Sequence, residues 1–184
     1  MTGLDIVPIY LSDRAPLMEK LGAALGDVFQ HPIRIRTPWF DPETTYDSSR
    51  GQYNSSSMLR LLLGETEPVA SRILGVTSVD LFTPILTYVF GEAQLDGRAA
   101  VVSIHRLQPE AYGLPADEGL LFGRLEKEAV HELGHTYGLI HCAEPSCVMR
   151  ASRYVEEIDW KGAPFCPACL KTVRSYNGHN RSVG

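Results

Sequence analysis

The stretch HELGHTYGLIHC, residues 131–142, contains three histidines, one glutamate and one cysteine. Side chains four positions apart share one face of a helix, so His131 and His135 can direct two ring nitrogens to one Zn²⁺ at about 2.0–2.1 Å. Glu132 lies about 100° further around the same helix. It can therefore hydrogen-bond a water molecule on the metal without being a ligand itself. The spacing predicts a zinc-binding helix.

Gly138 predicts the end of this helix, because glycine readily adopts the left-handed conformation that closes a helix. The resulting turn brings His141 back as a third ligand. Three ligands with an open fourth position are typical of a catalytic zinc, whereas a structural site is closed. Zinc would lower the pKa of water at that position to about 7, and Glu132 would accept the proton. Shuffling this composition gives the full pattern in only roughly a few chains per hundred thousand.

All the cysteines of the chain lie in one short segment, at Cys142, Cys147, Cys166 and Cys169. Two pairs of thiols at the ends of a loop suit a tetrahedral Cys₄ zinc site with Zn–S distances near 2.3 Å. A redox pair at Cys166 and Cys169 and a set of unrelated buried thiols are the alternatives. A redox motif is expected after a strand of a βαβ unit, and this one is not so placed. We therefore favour a second, closed zinc site.

The composition is that of an ordinary globular protein. Of the 184 residues, 44% are hydrophobic and 21% are charged, and this length is sufficient for one domain with a full core. We expect residues 1–184 to form that single domain, as a monomer. The net charge of −5 argues against a nucleic-acid partner, since such proteins usually carry a basic surface.

No targeting or membrane-spanning segment is predicted. The N-terminal MTGLDIVPIYLSDR has Asp5 inside its apolar run and no basic residue before that run, unlike a signal peptide. No apolar run approaches the roughly 20 residues of a membrane span. We therefore expect a cytoplasmic protein with no membrane partner. In that reducing compartment, cysteines serve more often as metal ligands than in disulfides.

Apolar periodicity predicts alternating strands and helices before the metal-binding segment. Strands are expected at 4–11, 33–36, 73–82, 88–95 and 99–107. Helices are expected after Ser12 as N-cap, at 58–63 with Asn54 or Ser55 as N-cap, and from Pro115 to about Gly138. Residues 40–52 are expected to form a loop, and Asp96-Gly97 predicts a hairpin. The fold class is therefore α/β (α+β), with a mixed sheet and a metal-rich C-terminal segment.

The motif HELGHTYGLIH matches H-E-x-x-H-x-x-G-x-x-H, the signature of metzincin zinc peptidases. Followed by CAEPSCVM and CPAC, it resembles the archaemetzincin family over residues 131–169. The segments RGQYNSS (50–56) and FGEAQLDGRAAVVS (90–103) are also similar to that family, with less specificity. The resemblance implies a compact metzincin-like domain in which a mixed sheet packs on an active-site helix.

The resemblance also implies a set of functional residues and two zinc ions per chain. The catalytic zinc would be bound by His131, His135 and His141, with Glu132 as general base. The structural zinc would be bound by Cys142, Cys147, Cys166 and Cys169, within an integrated segment at 142–169. Met149 would be the methionine of the Met-turn beneath the catalytic metal. A peptide substrate would bind as an added strand along the hairpin 88–107, at its first arm.

The first hypothesis is therefore a zinc metallopeptidase that acts on peptides or proteins. The alternative is a catalytically weak or silent binding module that retains the fold and both zinc sites, and a nucleic-acid-binding Cys₄ module is a third possibility. The sequence leaves endopeptidase and aminopeptidase action open. It also leaves open whether Tyr137 or Tyr154 stabilises an oxyanion, and for both we expect a structural role.

The adjacency of His141 and Cys142 predicts a coupling between the two zinc sites. One mixed site would need adjacent side chains to converge, and it would leave a ligand of each set without a partner. With separate sites, Cys142 fixes the residue next to the third histidine, and Cys147 fixes the chain two residues before Met149. We therefore expect the cysteine site to support the catalytic site.

Overall fold

A computed structural model describes residues 3–64 and 72–179. The strands are β1 (Leu4–Ile9), β2 (Ile33–Ile35), β3 (Tyr46–Asp47), β4 (Gln52–Asn54), β5 (Arg72–Thr77), β6 (Leu81–Phe82), β7 (Gly91–Ala93) and β8 (Ala99–Ser103). The helices are α1 (Ala15–Phe29), α2 (Ser55–Leu63), α3 (Glu118–Thr136), α4 (Val155–Trp160) and α5 (Pro167–His179).

The main sheet has the strand order β2-β1-β5-β8-β7. Its first four strands are parallel, with Ile73 opposite Ala99, and β7 runs antiparallel to β8, with Gly91 opposite Val102. The strands β5 and β8 are buried along their whole length, as expected for parallel strands covered on both faces. The expected mixed sheet is confirmed, and β7 forms one of its edges. A smaller sheet has the order β3-β4-β6.

The two faces of the main sheet bury two separate clusters of apolar side chains. On one face, Leu74 and Val102 pack with Leu125 of α3 and with α1. On the other face, Ile73 packs with Leu62 of α2. Successive strand residues point to opposite faces, so each central strand contributes to both clusters. The expected packing of the sheet on the motif-bearing helix is confirmed.

The ends of several elements differ from the sequence-based predictions. Helix α1 begins at Ala15 after Arg14, so the prediction that Ser12 caps it is wrong. The N–H of Arg14 donates to the carbonyl of Leu11 at 3.0 Å, and this turn carries the chain past Ser12 before the helix starts. At α2 the N-cap is Asn54, whose side chain accepts from the N–H of Ser57 at 2.9 Å.

Two predicted strands are divided or shortened, and one predicted loop contains regular structure. The run 73–82 forms β5 and β6, because the chain bends between Thr77 and Leu81. The expected strand at 88–95 is regular only over β7. The expected loop at 40–52 includes a turn of 3₁₀-helix at Pro42–Thr45 and strand β3.

In the described part of the chain, no helix has the length and apolarity to cross a membrane.

Candidate metal centres and active-site cleft

Helix α3 carries the first two histidines of the motif. Its N-cap is Asp117, whose side chain accepts from the N–H of Leu120 at 2.9 Å. The buried face of the helix packs against the main sheet through Leu121, Leu125, Ala129 and Leu133. The helix ends at Thr136, and Gly138 follows with φ +78°. The left-handed glycine at the predicted position returns the chain toward the helix.

This turn brings His131, His135 and His141 together. The Nε2 atoms of His131 and His135 are 3.2 Å apart, and the ring centroid of His141 lies 5.3 Å and 5.1 Å from theirs. One ring nitrogen from each residue lies within 4.8 Å of the others. We call these three residues the histidine cluster. Their nitrogens are close enough to bind one metal ion, as the spacing predicts.

The rings of His131 and His135 are oriented by backbone carbonyl groups. Nδ1 of His131 donates to the carbonyl oxygen of Val148 at 2.8 Å, and Nδ1 of His135 donates to that of Leu139 at 2.7 Å. A metal-binding histidine commonly donates its second nitrogen in this way, which leaves Nε2 with a free lone pair. Burial lowers the pKa of His131 well below its usual value and also lowers that of His135. Neutral rings with converging lone pairs fit a zinc ion.

Glu132 is buried at the edge of the main sheet, beside Gly91 of β7. A Cβ atom on Gly91 would lie 2.6 Å from Cγ of Glu132, so only glycine allows this approach. Burial, and then the neighbouring carboxylate of Glu128, raises the pKa of Glu132 well above its usual value. A carboxylate with a higher proton affinity is a better proton acceptor in general base catalysis.

Met149 packs against helix α3 at Gly134. It is fully buried, and a Cβ atom on Gly134 would lie 2.4 Å from its Sδ atom. Gly134 stands between His131 and His135 on the helix, so the absence of its side chain makes room for the methionine. This contact gives the glycine of HELGH a packing function.

The four cysteines form a second cluster, which we call the cysteine cluster. One sulfur atom from each lies within 4.8 Å of the others, and Sγ of Cys142 is 3.9 Å from that of Cys166. All four are free thiols. The N–H of Cys166 donates to Sγ of Cys147 at 3.3 Å. The N–H of Cys169 lowers the pKa of Cys166 to about 7, whereas burial raises the pKa of Cys147 and that of Cys169. Cys166 therefore most readily adopts the thiolate form that metals bind.

Backbone hydrogen bonds connect the two clusters. The N–H of Cys142 donates to the carbonyl of Met149 at 3.0 Å, and the N–H of Val148 donates to that of Pro164 at 3.1 Å. Val148 lies between Cys147 and Met149, and its own carbonyl accepts from His131. The segment that positions the methionine therefore contacts both clusters.

The histidine cluster lies in a cleft of about 790 Å³. Its walls are β7, the C-terminal half of α3, and the segments 83–87 and 151–154. Leu86, Leu95 and Ile140 line it and are exposed to solvent. A solvent-open cleft with an apolar rim beside the histidines is suited to bind a peptide.

Glu128, which lines this cleft, forms a buried ion pair with Lys161. Nζ of Lys161 is 2.8 Å from Oε1 of Glu128, in a contact that is ionic but not aligned as a hydrogen bond. Lys161 also donates to the carbonyl of Arg150 at 3.2 Å. This pair was not among the residues predicted from the sequence. The only local signal was that Glu128 stands four positions before Glu132, on the same face of α3.

The two candidate tyrosines occupy different environments. Tyr137 is 2% exposed, and its ring stacks on Phe29 at 5.2 Å and on the guanidinium of Arg72 at 3.6 Å, outside the cleft. Tyr154 is 63% exposed and lines the cleft. Tyr137 is therefore a packing residue, whereas Tyr154 can contact a bound molecule.

Comparison with known proteins identifies similar sequences and folds. Residues 41–175 match the model of peptidase family M54. The archaemetzincin of Methanocaldococcus jannaschii is 44% identical over 133 residues, which are 72% of each chain. That of Methanopyrus kandleri is 43% identical over 168 residues, which are 91% of this chain and 90% of the relative.

The fold is also similar to that of a solved peptidase. The crystal structure of a zinc-dependent peptidase from Methanocorpusculum labreanum has a TM-score of 0.82 and 30% identity, and the alignment covers 93% of this chain and all of the other. The range matched by the family model includes every residue of the histidine and cysteine clusters.

Proposed function

The chain belongs to peptidase family M54 and is a zinc metallopeptidase, and we propose that His131, His135 and His141 bind its catalytic zinc. The convergence of their ring nitrogens within 4.8 Å is the observation that carries this proposal. Two of the rings are held by backbone carbonyls in the orientation that metal binding needs. Zinc, when bound, supplies a Lewis acid that polarises a carbonyl group and acidifies water.

Glu132 is proposed as the general base. Its carboxylate would accept a proton from the attacking water as the water oxygen bonds to the scissile carbonyl carbon. It would then deliver that proton to the amine nitrogen as the C–N bond breaks. Its burial beside β7 supports this role, because a carboxylate that is poorly solvated holds a proton more readily.

The cysteine cluster is proposed to bind a second zinc ion with a structural role. Four thiols from two segments fit a closed tetrahedral site. Met149 is proposed to form the floor of the catalytic site through its contact with Gly134. We also propose that segment 142–169 is an integral part of a single domain, because its backbone is bonded around both clusters.

The substrates are peptides or proteins, as the peptidase family implies. We propose that they bind as an added strand along β7, whose outer side is not paired with another strand of the main sheet. Along this strand, the residues whose backbone groups bond to β8 alternate with Gly91 and Ala93. The backbone N–H and carbonyl groups of Gly91 and Ala93 therefore point away from β8. This edge lies in the wall of the cleft, next to Glu132.

The family assignment does not favour the alternative of a silent binding module. We propose a cytoplasmic location, which the four free cysteines support because thiols are kept reduced in that compartment. We further propose that the chain acts as a monomer, and its net charge of −5 supports action without nucleic acid.

Replacement of Glu132 by Gln tests the proposed mechanism. The zinc-loaded protein is incubated with a diverse peptide library, and cleavage is measured by mass spectrometry. We expect Glu132→Gln to retain zinc and to lose about 10²–10⁴-fold in rate. Glu126→Gln makes the same chemical change on α3 outside the cleft lining and is expected to leave cleavage unchanged. Full activity in Glu132→Gln would rule out this general base.

A further inference from the structure

The segment RGQYNSS ends at the N-terminus of α2, where two serine hydroxyls contact a glutamate of the cleft. The Ser56 hydroxyl lies 2.8 Å and 3.0 Å from the two carboxylate oxygens of Glu92. The Ser55 hydroxyl, which is buried, contacts the same carboxylate and the carbonyl of Phe82. The carboxylate is therefore held at the positive end of a helix dipole, where negative charge is stabilised.

Glu92 is the middle residue of β7, between Gly91 and Ala93. Adjacent side chains on a strand point to opposite faces. Gly91 approaches Glu132 of α3, whereas the carboxylate of Glu92 contacts the first turn of α2. Two helices therefore fix the edge strand from its two faces.

Among the strands of the described residues, β7 is paired with β8 alone. The N–H of Ser103 donates to the carbonyl of Phe90 at 2.8 Å, and the N–H of Gln94 donates to that of Ala99 at 3.0 Å. Between these bonds the regular strand is three residues long, and one of the three is a glycine, which has the greatest backbone freedom. So short a strand is weakly constrained by its backbone hydrogen bonds to β8 alone. The contacts of the Glu92 carboxylate with the serine hydroxyls constrain it further.

We propose that Ser55, Ser56 and Glu92 form a clasp that positions β7, so that an extended peptide bound on this edge lies at a fixed distance from Glu132. The inference rests on the proposed function, because it assumes that peptides bind on β7. Glu92 is a positioning residue in this proposal. It acts through the backbone of Gly91 and Ala93, and its carboxylate is occupied by the serine hydroxyls. The clasp gives the segment RGQYNSS a function in substrate binding.

Peptide length separates this role from a merely structural one. An octapeptide from the best-cleaved library sequence can pair with the whole edge strand. A tetrapeptide with the same scissile bond at its centre has only two residues on each side of that bond, so it can pair with less of the edge. For Glu92→Ala we expect KM of the octapeptide to rise about tenfold, which corresponds to about 1.4 kcal/mol of lost binding free energy. The tetrapeptide is expected to change less than twofold in kcat/KM, and zinc content is expected to stay at the wild-type value.

A conservative variant and a second measurement complete the test. Glu92→Gln keeps an oxygen acceptor for the serines and is expected to recover most of the octapeptide KM. Hydrogen exchange over residues 88–95 is expected to be faster in Glu92→Ala than in the wild type, with α3 unchanged. Ser56→Ala removes one of the hydroxyls and is expected to raise both the octapeptide KM and the rate of hydrogen exchange over residues 88–95. It replaces Glu92→Ala in the test if that variant does not fold.

Two results for Glu92→Ala would overturn the clasp. One is an equal loss of kcat/KM for the octapeptide and the tetrapeptide, and the other is an unchanged octapeptide KM together with unchanged hydrogen exchange. Glu126→Ala, on α3 outside the cleft lining, is the control that is expected to change neither quantity. The two proposals fail in different ways. If Glu132→Gln cleaves as the wild type does, the proposed function fails. If Glu132→Gln is inactive and Glu92→Ala keeps the wild-type length dependence, only the clasp is wrong.

Discussion

Nδ1 of His131 donates to the carbonyl oxygen of Val148 at 2.8 Å, and this bond joins the histidine cluster to the chain that carries Cys147. Val148 is flanked by Cys147 and by Met149, so one short segment includes a residue of the cysteine cluster and a carbonyl bonded to the first histidine. The sequence predicted a coupling through Cys142, next to His141, and through Cys147, two residues before Met149. The structure adds this second connection, through a backbone carbonyl that no side-chain pattern could indicate.

Replacing Cys166 and Cys169 by Ser is expected to weaken zinc binding at the histidine cluster. Loss of the structural ion would release Cys147, and with it the Val148 carbonyl that orients His131. Removal of such outer partners of a metal ligand typically costs about 10–100-fold in affinity. The affinity is measured by competition with a chromophoric chelator.

The control for this prediction is Thr172→Ala, an exposed position on the same helix as Cys169. It is expected to bind zinc as the wild type does. Circular dichroism establishes whether the double cysteine variant is folded. Wild-type affinity at the histidine cluster in a folded double variant would show that the two sites are independent.

Gly134→Ala is expected to destabilise the protein and to disturb the metal site. The added Cβ would lie 2.4 Å from Sδ of Met149 and 3.1 Å from Phe165, and overpacking of a buried site costs about 1–3 kcal/mol. Thermal and urea unfolding measure the change in the free energy of unfolding.

Gly123→Ala is the matched control on the same helix. A Cβ atom at Gly123 meets nothing within 4 Å, and alanine has the higher helix propensity, by about 0.8–1.0 kcal/mol. This variant is therefore expected to be more stable than the wild type. Stabilisation by Gly134→Ala of the same size would contradict the proposed contact between α3 and Met149.

The helix of the motif and the convergence of both clusters could be predicted because their signals are local. His131 and His135 are one helical turn apart, Gly138 follows the end of the helix, and the two pairs of cysteines stand at either end of one short segment, in which the structure places helix α4. The clasp joins Glu92 to Ser56, and the buried ion pair joins Glu128 to Lys161. Each of these contacts depends on how distant elements pack, so no spacing in the sequence indicates it.

Strand and helix limits were predicted less well where a tertiary contact decides them. Ser12 has the side chain of an N-cap, yet the turn from Leu11 to Arg14 places the helix start after it. The run 73–82 has the composition of one strand, but it divides because β5 and β6 belong to different sheets.

Lys161→Met is expected to destabilise the protein strongly. It would leave the Glu128 carboxylate, 4% exposed, without its cation, and removal of one partner of a buried ion pair costs about 3–5 kcal/mol. The double variant Lys161→Met/Glu128→Leu is expected to recover much of this loss, because it removes the unpaired charge as well. Urea unfolding of the wild type, both single variants and the double variant measures the coupling. Additive effects in this cycle would show that the pair does not interact.

The zinc content of protein purified without chelator shows whether the chain binds two zinc ions, one at each cluster. Elemental analysis by mass spectrometry gives the number of ions per chain. We expect two zinc ions per chain in the wild type and one in His131→Ala/His135→Ala, which keeps the cysteine cluster intact. A single zinc ion in the fully folded wild type, supplied with excess metal, would contradict this expectation.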